Sequence, residues 1–454
     1  MTISFDERLK SSTSIRLLIV AGLTVALFVP LLLINALVYE RQDRKDRAVR
    51  EIGAKWGEPQ TIVGPVLVVP YYDRSHDSLA RKKEYARFLP EELHVNAALE
   101  PNTRSRGIYE AILYSAKSEF SGHFVAPDFS KLDLEPYRVL WNEAYVLVGM
   151  SDLRGVRDEL TLSFDGENVP VDPTIGEQNI AREAVRADVT IDSRKKRLDF
   201  SFTLTLNGSE TFMITPVGKT TRAAVESKWS DPAFTGAFLP DERNVRDDSF
   251  NAAWRVFHLN RSFPQQWTGE SPYMTSSAFG VELLQTADSY QQISRAAKYS
   301  FLFIGLTFVA FFLVEVLYKS LLHPMHYLLV GVAIIVFYTL LLSLGEHLDF
   351  ILAYGIASVA TIALVVSYSW RLFTTEKARY SLAGSLVALY VFLLVVLRLE
   401  TYSLLLGSVF LFIIIAAVMM ATRKIDWYAL GASTKKTNGD APKKPDEGGD
   451  KPTT

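Results

Sequence analysis

The stretch FILAYGIASVATIALVVSYSW, residues 350–370, holds no Asp, Glu, Lys, Arg or His. A bilayer core about 30 Å thick needs roughly 20 apolar residues rising 1.5 Å each. This segment meets that length without a charge, and its neighbours repeat the pattern. Apolar runs cover Tyr299 to about Leu322 (interrupted by Glu315 and Lys319), Met325 to Gly345, Tyr380 to Leu397, and Thr401 to Thr422. Short polar breaks separate them at His323-Pro324, Glu346 to Asp349, Arg371 to Arg379, and Arg398 to Glu400. A water-soluble core has no use for five such runs in succession, so residues 299–424 read as a five-helix membrane bundle.

A sixth run lies near the other end, from Leu17 to Tyr39, preceded by Arg8, Lys10 and Arg16. A cleaved signal peptide is the rival reading. Its apolar stretch is shorter, however, and ends in small residues. Here Pro30, Leu31, Leu32, Leu33 and Ile34 fill the second half of a full bilayer length, which favours an uncleaved anchor over 17–39.

Basic residues set the orientation, because short loops rich in Lys and Arg stay in the cytoplasm. With residues 1–16 inside, the inner segments carry Lys319, then Arg371, Lys377 and Arg379, then Arg423 and Lys424, while the short outer loops carry only Arg398. Both termini are then cytoplasmic, and residues 40–298 form a periplasmic domain. Residues 425–454 read as a cytoplasmic, largely disordered tail, since from Ser433 on it is Lys, Pro, Gly and Asp with almost nothing to bury.

The outer segment reads as mainly β. Leu198, Phe200, Phe202, Leu204 and Leu206 alternate with polar residues, the period of a half-buried strand. Asn207-Gly208 then precedes Thr211 to Ile214 and predicts a hairpin turn. Leu160, Leu162 and Phe164 alternate before a turn at Asp165-Gly166. Pro65 to Pro70, Gly107 to Phe124 and Tyr145 to Gly149 add strand-like runs, whereas Asp43 to Trp56 has helical periodicity and extends the first span as a stalk. The expected fold is a membrane α-helical protein of about six transmembrane helices plus a large extracytoplasmic, mainly-β, sandwich-like domain. Strand order does not follow from these patterns.

The 454-residue chain has a formal net charge of −2 and no cysteine. Disulfides, thiolate metal sites and cysteine nucleophiles are excluded, and nothing points to a nucleic-acid partner. The outer segment contains no nucleophile elbow, Walker loop, HExxH or glycine-rich dinucleotide loop, so neither a catalytic set nor a cofactor is expected. Trp141, Trp229, Trp254 and Trp267 fit sheet packing better than a ligand groove. Asn207-Gly208-Ser209 and Asn260-Arg261-Ser262 match a glycosylation sequon in form only.

Ionisable groups inside a bundle are functional candidates, because placing them in hydrocarbon costs several kcal/mol. Glu315 either pairs with Lys319 one turn later, or has a buried partner or a part in proton or ion movement. His323 and His326 are three apart, and Glu346 adjoins His347, which raises the thought of zinc. The third span separates the two pairs by roughly 30 Å, however, and they cannot share one metal. Pro324 suits a first helical turn, so helix-end roles are expected for these residues.

The chain resembles the CreD family of bacterial inner-membrane proteins linked to cell-envelope integrity. The likeness rests on Val63-Gly64-Pro65, Phe88-Leu89-Pro90-Glu91, Gly107-Ile108-Tyr109, Phe238-Leu239-Pro240 and Arg295-Ala296-Ala297-Lys298-Tyr299. In the membrane part it rests on Phe311-Phe312 with Glu315, His323-Pro324-Met325, Tyr327-Leu328-Leu329-Val330-Gly331, Glu346-His347, and Thr422 to Ala429. The resemblance implies a multi-pass inner-membrane protein that supports the envelope and tolerance of envelope-targeting stress. It supplies no catalytic residues. A non-enzymatic role follows, in which the β-domain contacts a periplasmic or envelope protein or a wall component and membrane lipid surrounds the bundle. A transporter or lipid-handling protein using Glu315 and nearby polar groups is the alternative.

Overall fold

In the computed structural model, the described residues are 13–72, 82–132, 139–176, 179–192, 194–284, 289–318, 320, 322–399 and 402–423. They fall into two compact units, a helical one (1–41 and 287–454) and a second one, Gln42–Thr286. The tail expected to be disordered, Lys319, and Trp427-Tyr428 lie outside the described residues.

The helical unit begins with α1 (Thr13–Ala26) and the first part of α2 (Phe28–Trp56), to Arg41. Pro30 explains the break between them. It has no N–H to offer the Ala26 carbonyl, and the next bond, Leu31 N to Leu27 O, is long at 3.4 Å. After α3 (Ser289–Lys298) come α4 (Ser300–Leu317), α5 (Pro324–Gly345), α6 (Phe350–Ser369), α7 (Glu376–Arg398) and α8 (Ser403–Thr422). Among the described residues, six helices are long and apolar enough to cross a membrane, as the sequence pattern requires. Inside the bundle an aromatic cluster fills the space between α4, α5, α6 and α7. Phe337 meets Tyr390 and Tyr354 edge-on at 5.0 and 5.6 Å, and the Tyr354 hydroxyl donates to the Tyr390 carbonyl at 2.7 Å.

The second unit is a two-sheet sandwich. One sheet has nine strands. Its main path runs β13 (Pro232–Gly236), β17 (Phe279–Leu283), β11 (Thr211–Ile214), β1 (Gln60–Tyr72), β5 (Tyr145–Met150), β9 (Glu183–Asp188), β8 (Asp172–Ile175), with β2 (Lys83–Phe88) on β1 and β16 (Gln266–Thr268) on β2. The other has eight, in the order β14 (Glu242–Val245), β15 (Phe250–Phe257), β12 (Thr220–Ser227), β3 (Glu92–Arg106), β4 (Tyr109–Val125), β10 (Arg197–Ser209), β6 (Thr161–Phe164), β7 (Glu167–Pro170). Rings from the two sheets interdigitate: Trp254 lies 5.3 Å from Phe279, and Tyr114 lies 6.0 Å from Phe212. Trp254 and Trp267 are buried in this core, with Trp141 and Trp229 packed against it.

Two Gly-containing dipeptides behave differently. Asp165 and Gly166, with φ of 53° and 89°, join β6 to β7 as a two-residue hairpin. Asn207-Gly208, expected to turn, instead continues β10 and pairs with Ser115 and Tyr114 of β4. The chain changes sheets at Glu210, at φ 57°. The reason is packing. A Cβ on Gly208 would stand 2.2 Å from the Tyr114 hydroxyl oxygen, so glycine serves here to admit the ring, not to make a bend.

The end of α2, from Gln42 on, belongs to this unit and packs within it as the expected stalk. Val49 packs with Ala111 and Leu113, and the Trp56 indole donates to the Tyr114 carbonyl at 3.2 Å. Arg104 and Arg157 each stack over the Trp56 ring at 5.6 Å. Nearby, Asp152 is buried and accepts from Arg154 Nε at 2.8 Å and Glu58 N at 3.1 Å. Burial opposes charge on Asp152, but these hydrogen bonds outweigh it and hold the carboxyl below its usual range.

Candidate functional site

Two places invite a functional reading: the polar residues at the span ends and the open face of the eight-stranded sheet. Glu315 sits in the last turn of α4, 7% exposed. Its Oε2 accepts from the Tyr327 hydroxyl at 2.6 Å, and its Oε1 accepts from Leu322 N at 3.3 Å. Tyr327 is held edge-on to Phe308 and Phe311. The carboxylate thus joins the end of α4 to the start of α5 and satisfies a backbone donor between them. Of the expected alternatives, the buried partner is present, while the pairing with Lys319 lies outside the described residues.

His323 caps α5, its Nδ1 accepting from Met325 N at 3.3 Å ahead of Pro324. His326 Nδ1 lies 2.6 Å from the Tyr368 hydroxyl on α6. Glu346 caps the other end of α5, where Arg41 approaches at 3.3 Å and the Tyr290 hydroxyl donates at 3.4 Å. His347 follows, its N–H donating to the Leu344 carbonyl at 3.0 Å. The helix between the two groups has 22 residues, so they stand about 33 Å apart. Glu315, His323 and His326 therefore gather at one end and Glu346 and His347 at the other. Tyr368 and Arg41 were not singled out in the sequence, and Tyr327 entered only within the stretch that carries the family resemblance. Each is an ordinary belt or flank residue until the helices are packed.

The second place is broader. Three adjoining depressions of 610, 610 and 350 Å³ run over β3, β12, β15 and β14 on the side away from the core. Register explains them. Asn96, Ala224, Ala253 and Glu242 stand in one row across the strands, and Ala98, Glu226, Asn251 and Asn244 in the next. Alternation points all of these outward. The small side chains of Ala98, Ala224 and Ala253 leave a low floor, while Glu119, Glu226, Glu242, Lys117, Arg222 and Arg255 supply polar walls. The floor is a solvent-open trough whose groups suit hydrogen bonding to a polar, extended ligand.

A family model described as "Inner membrane protein CreD" matches residues 12–428. The chain belongs to the CreD family. A CreD relative from Escherichia coli (strain K12), the inner membrane protein CreD, is 29% identical over 426 residues, covering 92% of this chain and 94% of that one. With its six apolar helices, this CreD chain is a multi-pass protein of the inner membrane. Among solved structures, an M1 zinc metallopeptidase mutant of Deinococcus radiodurans, bound to a Tyr-Ser-Ala substrate, overlaps with a TM-score of 0.20 and 10% identity. That overlap covers 43% of this chain and 42% of the other and carries no argument about CreD function.

Proposed function

We propose that the protein supports cell-envelope integrity without catalysing a reaction: its β-unit faces the periplasm and binds an envelope protein or wall component, and its bundle anchors that contact. The observation that carries this reading is the trough. Two depressions of 610 Å³ adjoin there, and its outward rows are built of Asn, Ala and charged side chains where an idle sheet face needs nothing concave. The span-end carboxylates support the anchoring half. Glu315 and Glu346 are both engaged with neighbouring helices, as structural ties would be. The distribution of Lys and Arg around the spans supports cytoplasmic termini.

The test is site-specific photo-cross-linking in the native membrane, with a photoreactive residue at Asn96 or Asn251 in the trough and at Thr174 on β8 as a control. Adducts from the two trough positions and not from the control agree with the proposal. Silence from the trough, or equal labelling from all three positions, rejects it. Transport through the bundle is the second reading, favoured only by the buried position of Glu315. It requires solute movement in liposomes that Glu315→Gln abolishes.

A further inference from the structure

The interior of the bundle holds hydroxyls that the span-end contacts do not account for. Phe337 of α5 packs against three tyrosine rings: Tyr338 at 5.0 Å, Tyr354 of α6 at 5.6 Å and Tyr390 of α7 at 5.0 Å. Tyr338 and Tyr390 are 1% and 3% exposed, and Ser358, one turn beyond Tyr354 on α6, is 7% exposed. These three residues lie at one depth. Tyr338 is about 10 Å from the Gly345 end of α5, Ser358 about 12 Å from the Phe350 end of α6, and Tyr390 about 12 Å from the Arg398 end of α7. The three helix ends are on the same side of the bundle, as the Tyr354 hydroxyl bonding to the Tyr390 carbonyl requires.

Other hydroxyls in the bundle are satisfied within the protein. Thr307 and Thr361 each donate to a carbonyl one turn back at 2.9 Å, and Tyr354 donates to Tyr390 O at 2.7 Å. The hydroxyls of Tyr338, Ser358 and Tyr390 have no hydrogen-bond partner among the described residues. Ser358 has the same chance as Thr361 to close on its own helix and does not take it. Lipid tails offer neither donor nor acceptor, so a hydroxyl left unpaired at this depth is costly. Ser369, near the opposite end of α6, is also unpaired, but only here do such groups converge from three helices at one level.

We propose that Tyr338, Ser358 and Tyr390 together hold buried water between α5, α6 and α7. Water matches the donor and acceptor requirements. Each hydroxyl can donate and accept, and a buried water makes about three hydrogen bonds. The cluster brings no charge that would call for an ion. Ala353 and Ala357, fully buried on the same face of α6, keep the neighbouring side chains small. Water held there ties three helices through exchangeable hydrogen bonds, in a region where association otherwise relies on close packing.

The full-length protein in lipid nanodiscs is exposed to millisecond X-ray radiolysis, which oxidises buried side chains beside bound water, and peptide mass spectrometry reads the sites. Tyr338 and Tyr390 should be oxidised at least fivefold faster than Tyr114, an equally buried tyrosine whose hydroxyl is bonded to the Thr211 carbonyl. Tyr338→Phe should slow oxidation of Tyr390 at least threefold. Thermal unfolding supplies an independent readout, because removing a hydroxyl bonded to water destabilises, whereas removing an orphan is neutral or stabilising. Tyr338→Phe, Tyr390→Phe and Ser358→Ala should each lower the midpoint by about 1–4 °C. Oxidation of Tyr338 and Tyr390 no faster than that of Tyr114 overturns the proposal, as does a midpoint unchanged or raised in these variants.

Discussion

Gly208→Ala sets two opposed effects against each other. Gly208 is absent from the positive-φ glycines, so alanine fits the backbone, and in open space it would stabilise by about 0.4–1 kcal/mol through a less free unfolded chain. Space is what it lacks. The new Cβ would stand 2.2 Å from the oxygen and 2.3 Å from Cζ of Tyr114, a fully buried ring. Moving that ring breaks the hydrogen bond its hydroxyl donates to the Thr211 carbonyl at 2.7 Å. That loss costs about 1–3 kcal/mol, because the buried hydroxyl loses its acceptor. The edge-on contact with Phe212 adds about 0.5–1.5 kcal/mol. Subtracting the backbone gain leaves a net loss of about 0.5–4 kcal/mol. For a unit of this size that lowers the midpoint by about 2–4 °C per kcal/mol. The assay is thermal unfolding of the full-length protein in detergent, followed by the β-sheet circular dichroism signal. Tyr114→Phe, which keeps the ring and removes only the hydroxyl, should lose about 1–2 kcal/mol. A Gly208→Ala protein as stable as the parent, or more so, would refute the register in which β10 runs over Tyr114.

Other outcomes follow from the same contacts. Tyr327→Phe should lower the unfolding midpoint of the helical unit, since a buried hydrogen bond contributes about 0.5–1.5 kcal/mol; an unchanged midpoint would mean the tie between α4 and α5 carries no load. Asp152→Asn should cost ~1.5–3 kcal/mol at neutral pH. Because the Asp152 carboxyl titrates below its ordinary value of 3.8 when folded, the parent's advantage is complete above that pH and fades as pH falls through the lower folded value. Chemical denaturation from neutral to strongly acid pH checks this, and an advantage independent of pH would contradict it. Gly57→Ala would place a Cβ 2.4 Å from the Asn207 carbonyl oxygen and should loosen the stalk, seen as faster proteolysis after Trp56.

Much of the architecture was legible because hydrocarbon and pleated sheets impose strict periods. Residues 350–370 admit no reading other than a span, and the alternation from Leu198 to Leu206 is the inner face of β10 as built. Asp165-Gly166 was legible because its turn is local. Asn207-Gly208 was not, because what decides it is Tyr114, which lies far away in sequence and meets Gly208 only once β4 and β10 pair. The trough was hidden for the same reason. Ala98, Ala224 and Ala253 are unremarkable one by one, and become a floor only when β12 pairs in parallel with β3 and antiparallel with β15. At the span ends, the charged positions could be picked out, since ions in a membrane are conspicuous. Their partners could not, because Tyr327 and Tyr368 look like any interfacial tyrosine until the helices pack.

The absence of native cysteines allows the arrangement across the membrane to be read directly. Single substitutions Asn251→Cys in the trough and Thr374→Cys between α6 and α7 are exposed to a membrane-impermeant maleimide on intact spheroplasts, then again after lysis. The account predicts that Asn251→Cys labels before lysis and Thr374→Cys only after it. Labelling in the reverse order would put the β-unit in the cytoplasm and contradict an envelope-binding role outright.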